Sequence, residues 1–421
     1  MIPQGKFGTD RRTLASSELD GREAAELWDA IVIGAGPAGA MTAMRLAKAG
    51  HRVLLVEAKS FPRDKVCGGC LNPRAWSVLN SSGLGPKLEQ AGAIELNRLH
   101  LSCGRRAVEW PMPTMRALSR RALDEIVVSA AVAEGVRLST ETHARVEPSE
   151  PASDWISVQL KHRDGQQAVA RAKIVIAADG LAHSSLGAIE QSASRVARGS
   201  RVGLGATVAH DGTGYPSGRL TMVVGRAGYV GVTRVEQGRL NLAAAISTSS
   251  LRPASRSGNL LQAGDAVRPG DIIAGLLSGA GLEVPPGTRE AAWVGTPPLT
   301  RQSLRWSARR LFLVGDATGY VEPFTGEGMS WALAGAVEVS RFAERGIMRW
   351  TDDLAEQWHD AWRENVRRHQ AALRGLAWLL RRPRLAEIAL AGARYAPWLA
   401  NWTMQRVAGP PSSINSLGYK V

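Results

Sequence analysis

Asp29-Ala-Ile-Val-Ile33-Gly34-Ala-Gly36-Pro37-Ala38-Gly39 is the stretch that decides how this chain is read. An apolar run enters a G-x-G-x-x-G turn, Pro37–Ala49 has helical character, and His51–Glu57 returns as a second strand ending in a carboxylate. This pattern predicts a βαβ unit. Glycines at these positions permit a tight turn and close backbone approach, and the free N–H groups of a helix N-terminus face a pyrophosphate. Glu57, with Ala58 beside it, stands where a carboxylate accepts hydrogen bonds from a ribose. A G-x-G-x-x-G alone is also compatible with a structural turn that binds nothing, so a second element has to specify the ligand.

That element lies far downstream. Leu311-Phe-Leu-Val-Gly315-Asp316-Ala-Thr-Gly-Tyr320 runs into Glu322-Pro323-Phe-Thr-Gly326-Glu327-Gly328-Met329. It resembles the late flavin-binding motif of FAD-dependent aromatic hydroxylases, geranylgeranyl reductases and flavin halogenases. The resemblance implies that Asp316, after Gly315, contacts the FAD ribityl chain. It also implies that the turn from Pro323 through Gly326, Glu327 and Gly328 brings backbone N–H groups to the flavin ring. A helix over Met329–Arg345 would point its positive end there and stabilise the charge of reduced flavin. The expected cofactor is FAD, with NAD(P)H as its electron donor.

The composition narrows the class. A chain of 421 residues with 44% apolar residues is expected to form two joined domains. No apolar stretch reaches the roughly 18 uncharged residues of a membrane-spanning helix. Residues 1–27 are polar, lack an apolar core and are expected to be a disordered leader. The formal charge of +14 comes from 52 basic residues, only eight of them lysine. No zinc-ligand spacing or aromatic-basic motif accompanies it, so a solvated arginine-rich surface is expected rather than nucleic-acid binding. Cys67, Cys70 and Cys103 do not make a disulfide framework, which fits a reducing cytoplasm. The eight histidines lack metal-ligand spacing, and no metal is expected.

Along the chain, Leu99–Trp110 alternates around Gly104-Arg105-Arg106 and predicts a hairpin, and Arg120–Glu134 has helical periodicity. A short strand at Val136–Leu138 follows. Trp155–Leu160 and Ala168–Ala177 flank an Arg163-Asp164-Gly165 turn, and alternating runs fill Val202–Ile246. This order resembles the para-hydroxybenzoate hydroxylase superfamily over about residues 28–345. The resemblance implies an α/β fold, with a discontinuous Rossmann-like FAD domain (28–98, 117–190 and 297–350) and an antiparallel-sheet substrate domain inserted as 99–116 and 191–296. A helical arm (351–409) and a tail (410–421) follow. Arg120-x-x-Leu-Asp124 matches that superfamily's R-x-x-L/F-D helix, which assigns Arg120 to the FAD pyrophosphate. Asp179-Gly180 matches its D-G motif, with pyrophosphate and nicotinamide contacts, although His183 takes the usual serine place and no arginine follows. Val146 completes the expected cofactor set.

Lys65-Val-Cys67-Gly68-Gly69-Cys70-Leu-Asn-Pro73-Arg74 carries three readings. One is a redox dithiol beside the flavin, though the spacing is narrow and no second nucleotide fingerprint exists. Another is the geranylgeranyl reductase loop C-G-G-x-L-x-P-R, which this segment resembles. That resemblance places Cys67, Gly68 and Gly69 beside flavin and substrate, with Cys67 lining the cavity where hydride reaches a lipid double bond. The family's Y-x-W-x-F-P motif is not kept around Tyr229. The third is a hydroxylase using reduced flavin and oxygen, which needs chiefly a dry, shaped cavity. Hydroxylation of a hydrophobic aromatic or lipid-like substrate is the first expectation, with double-bond reduction, a disulfide oxidoreductase and a non-enzymatic flavoprotein as alternatives. The halogenase W-x-W-x-I-P motif is absent. As a plain packing residue, Cys70 would fill the loop.

Between Trp362 and Gly409 nine arginines face two glutamates, interleaved with Trp378, Trp398 and Trp402. With Trp358 and Trp362, residues 352–409 read either as a helical arm lying peripherally on the inner face of an anionic membrane or as a cap over the flavin domain. Oligomeric state is not legible.

Overall fold

The computed structural model describes residues 26–104, 106–210, 213–251, 267–322 and 326–363, with Gly375, Arg382 and Glu387. The leader up to residue 25, Pro323 and most of the arm, including Trp378, Trp398 and Trp402, lie outside the described residues. In chain order the first elements are β1 (Leu27–Ile33), α1 (Pro37–Lys48), β2 (Val53–Val56), β3 (Cys70–Leu71), α2 (Pro73–Ser81) and α3 (Gly85–Gln90). Next come β4 (Ile94–Cys103), β5 (Arg106–Ala117), α4 (Arg120–Ala133), β6 (Arg137–Ser139), β7 (Thr142–Val146), β8 (Ile156–His162) and β9 (Gln167–Ala177). The chain continues through β10 (Ser194–Val196), β11 (Val202–Ala209), β12 (Arg219–Val224), β13 (Gly228–Val235), β14 (Arg239–Ile246) and α5 (Pro269–Gly279). It closes with β15 (Val294–Pro298), β16 (Arg301–Ser303), β17 (Ser307–Ala308), β18 (Leu311–Leu313), β19 (Gly319–Tyr320) and α6 (Gly328–Met348).

The first sheet runs β17-β18-β9-β1-β2-β6, with the β7–β8 hairpin branching from β9. Its centre is parallel: Ala30 pairs with Val53, Leu54 with Arg137, Ile31 with Val175 and Val175 with Leu311. Strands covered on both faces need apolar residues at nearly every position, and all four residues of β2 are buried. Helix α1 packs against both α4 and α6. Strand β18, from the far end of the chain, thus lies beside β9 and brings the second glycine segment to the first.

The second sheet has the order β15-β11-β14-β13-β12-β4-β5-β3. Its hairpin begins at Ile94 rather than Leu99, and β3, from the cysteine loop, joins its edge through Cys70 opposite Ala117. The expected all-antiparallel sheet is corrected at one seam: β12 runs parallel to β4, Arg219 opposite Arg98 through Val224 opposite Cys103. A parallel pair needs a long crossover, and here the intervening flavin layer supplies it. A small third sheet has the order β10-β16-β19.

Residues 353–363 are helical. Trp358 is fully buried, stacks on Trp362 at 5.4 Å, and donates from Nε1 to Leu313 O at 3.2 Å. Trp362 donates to Thr318 Oγ1 at 3.1 Å. These two tryptophans clamp β18 and the turn after it, so they are core residues rather than membrane anchors.

Candidate active site

The glycine turn after β1 is shaped by close contacts. Gly34 has φ +99°, and a Cβ on it would strike Ala178 O; one on Gly39 would strike Gly34 O. Gly36 differs. Its missing Cβ would meet only Arg120 Nη2 at 3.6 Å and Arg63 Nη2 at 3.9 Å, so its bare backbone faces two guanidinium groups across open space. Arg120 is gripped by Asp124, with Nε to Oδ1 and Nη2 to Oδ2 both at 2.8 Å. Arg63 bridges Asp124 Oδ2 at 3.0 Å and Glu57 Oε2 at 3.2 Å. Glu57 also accepts the Ala35 N–H at 2.9 Å and the Lys59 N–H at 3.1 Å, which ties the end of β2 to the turn. A helix N-terminus, a bare glycine and two braced arginines form a site for a pyrophosphate.

Across the cleft, Gly315 approaches Ala38 so closely that its Cβ would lie 3.0 Å from the alanine Cβ. Asp316 then lies opposite Lys65 and Arg120: burial pushes its carboxyl up, and those two cations oppose the shift. Gly326, Gly328 and Met329 line the same cleft at the start of α6. The cysteine loop forms its next wall. Asn241 Nδ2 holds Cys67 O at 2.8 Å, and Gly69, φ +71°, packs on Leu118 and accepts its N–H at 2.9 Å. Cys67, Gly68 and Cys70 line the cleft. Both cysteines are free. Cys70 is buried, its thiol donates to Gly68 O at 3.4 Å, and burial pushes its pKa up to about 12.

The far wall is the second sheet. Leu220, Met222, Tyr229 and Leu299 are apolar there, and Gly203, Gly231, Ala243 and Ala245 leave room between them. One cleft therefore runs from Gly36-Pro37-Ala38 past Asp316 and Cys67 to this wall. Tyr320 stands where they meet, 3.3 Å from the missing Cβ of Gly328; burial, then Asp316 and Cys67, raise its pKa. The residues fit FAD: a cationic end, an acidic middle and a helix N-terminus in sequence along one cleft.

Val146, Glu327, Asp179 and Ala58, expected at the cofactor, lie outside the lining of the cleft. Val146 pairs with Val158 and is buried in the main core without lining the cleft, because the β7–β8 hairpin turns its side chain inward. The Glu327 carboxylate accepts Trp331 Nε1 at 2.9 Å, one turn into α6, and burial raises its pKa; its side chain braces the helix. Asp179 Oδ2 accepts both the N–H and hydroxyl of Ser185 at 2.9 Å, so a serine two places later fills the role that His183 vacates, and only Gly180 of the pair lines the cleft. Ala58, at the end of β2, is half-buried outside that lining. Arg63, Lys65, Met222 and Tyr320 were not singled out. The charges of Arg63 and Lys65 were visible in a loop without periodicity, while Met222 reads as any strand residue.

Fold and cleft together define an FAD-dependent oxidoreductase. The family model described as an FAD binding domain matches residues 28–202. The chain is 28% identical over 386 residues to a menaquinone reductase of Mycobacterium tuberculosis, covering 85% of each. It is 29% identical over 361 residues to digeranylgeranylglycerophospholipid reductase 1 of Methanopyrus kandleri, covering 81% of this chain and 87% of that one. Among solved structures, a flavin-dependent brominase superposes with a TM-score of 0.70 at 17% identity, over 91% of this chain and 94% of that one. A probable FAD-dependent monooxygenase from Pseudomonas aeruginosa does so at 0.65 and 18%, over 87% and 99%. Residues 28–202 thus carry an FAD binding domain, and the chain as a whole is similar to FAD-dependent reductases over most of its length.

Proposed function

We propose that this enzyme reduces a carbon–carbon double bond in a prenyl-type lipid, a reading that reverses the order in which sequence ranked hydroxylation and reduction. The observation that carries it is the Cys67-Gly68-Gly69 loop, which faces both the flavin-binding turn at Gly326–Met329 and the apolar wall of the second sheet. Relatives of similar length named as menaquinone and digeranylgeranylglycerophospholipid reductases support it. Bound FAD supplies the hydride. The chain's part is to hold the cofactor between Gly36, Arg120 and Asp316, to lay an apolar substrate along Leu220, Met222 and Leu299, and to exclude water. Cys70, with its raised pKa and buried thiol, packs the loop. Cys67 lines the reacting space without a disulfide partner. NAD(P)H is the donor in this reading. The arginine surplus beyond residue 362 brings the protein to an anionic membrane, where such lipids reside.

The test is product analysis with a polyprenyl quinone, NADPH and the FAD-loaded enzyme. A product that, after reoxidation of any quinol to quinone, carries two added hydrogens in its prenyl chain supports reduction, and one changed only at the quinone head contradicts it. One richer by an oxygen atom, formed only in air, overturns it in favour of hydroxylation.

A further inference from the structure

The apolar wall of the main cleft continues past the point where the cleft ends. Leu220, Met222 and Val224 of β12 share one face of the second sheet, since alternate strand residues do. Leu220 and Met222 line the main cleft. Val224, the next residue on that face, lines a second hollow at the end of the sheet, with Cys103, Gly225 and, from α5, Leu276 and Gly279. The strand pairing keeps cleft and hollow in file. On β4, Leu101 lies opposite Met222 and Cys103 opposite Val224; on β13, Gly231 and Tyr229 stand opposite the same two residues. Met222, Val224, Cys103 and Tyr229 belong to one packed apolar cluster, so side chains divide the two spaces. Met222 stands at that divide, and Gly231 beside it contributes no side chain. Met222 Sδ lies 2.9 Å, and its Cε 3.8 Å, from where a Cβ on Gly231 would be. The thioether leans over the bare β13 backbone and fills the gap the glycine leaves. Methionine is unbranched and turns about several bonds, so its shape adapts to what lies against it.

We propose that Met222 sets the length of apolar chain the main cleft accepts, by closing its floor between Leu220 and the hollow at Val224. A smaller residue at 222 joins the two spaces and lengthens the path by two strand positions, about 7 Å. A larger one shortens it. This role rests on the lipid reading of the main cleft and makes chain length the property that its far wall selects.

The test is equilibrium binding of a graded series of radiolabelled polyprenyl alcohols to FAD-loaded wild type, Met222→Ala, Met222→Phe and Leu220→Ala. Affinity rises with each added isoprenoid unit until the chain meets the end of its channel. In Met222→Ala that limit is expected about one unit later, and the first chain beyond the wild-type limit should bind about tenfold more tightly than it does to wild type. In Met222→Phe the limit should come earlier. Leu220→Ala makes a similar truncation one step back on the same face, and is expected to weaken every chain without moving the limit. Met222→Ala and Leu220→Ala decide the matter even where Met222→Phe does not fold. A limit that stays in place in Met222→Ala, or moves equally in Leu220→Ala, overturns the role of Met222 and leaves the lipid reading intact. Wild type that binds no member of the series overturns both.

Discussion

Cys67 and Cys70 stand in different surroundings, and that difference is testable one sulfur at a time. The Cys70 thiol is buried and its pKa is pushed up to about 12, so it stays protonated and unreactive. Cys67 is half-buried at the cleft. Alkylation of the native protein followed by peptide mass spectrometry should therefore label Cys67 ahead of Cys70. Cys67→Ser should change turnover with FAD content unaltered, and Cys70→Ser should leave both close to wild type. Equal labelling of the two cysteines would revive the dithiol reading. His359 supplies a pH-dependent term. Its Nδ1 accepts the Trp306 N–H at 3.4 Å, and burial, with Arg305 nearby, lowers its pKa below 6.5. Neutral His359 is thus favoured by folding. Its stabilisation is complete above pH 6.5 and is lost as pH falls from there through the depressed value. Denaturant melts across that window should show a slope in wild type that flattens in His359→Gln.

At the scale of elements, the βαβ unit, the 120–133 helix and the hairpins were legible because each carries its own periodicity and turn chemistry. Arg120–Ala133 ends within a residue of its expected limit. Two things were not legible. The parallel seam of β12 with β4 depends on where a long excursion returns, which no local pattern encodes. The start of the arm was open between a membrane surface and a cap, because tryptophan suits a core as well as an interface. The packing of Trp358 against Leu313 and Phe312 decides it. Trp358→Ala should cost about 3–5 kcal/mol of stability by denaturant unfolding. A loss under about 1 kcal/mol would mean that residues 353–363 do not clamp β18.

Across the whole molecule, the cleft exists because β18 inserts beside β9 and sets Asp316 opposite the first glycine turn. Gly36, Asp316, Gly326 and Gly328, which the fold brings to one cleft, could be singled out in sequence, since glycines and charges are punctuation. The apolar wall could not, because Leu220, Met222 and Leu299 become neighbours only in the folded sheet. Among the described residues no helix is long and apolar enough to cross a membrane. The membrane proposal predicts that full-length protein co-sediments with anionic vesicles at low salt and is released at high salt; protein that stays in solution with them at low salt would contradict it. The central claim is that one FAD spans both glycine segments, and the most direct test is the flavin released from purified wild type, Gly36→Val and Asp316→Ala. The account predicts non-covalent FAD in wild type, none in Gly36→Val, whose side chain would fill the space before Arg120, and a reduced amount in Asp316→Ala. Recovery of FMN alone, or undiminished FAD in Gly36→Val, would contradict it.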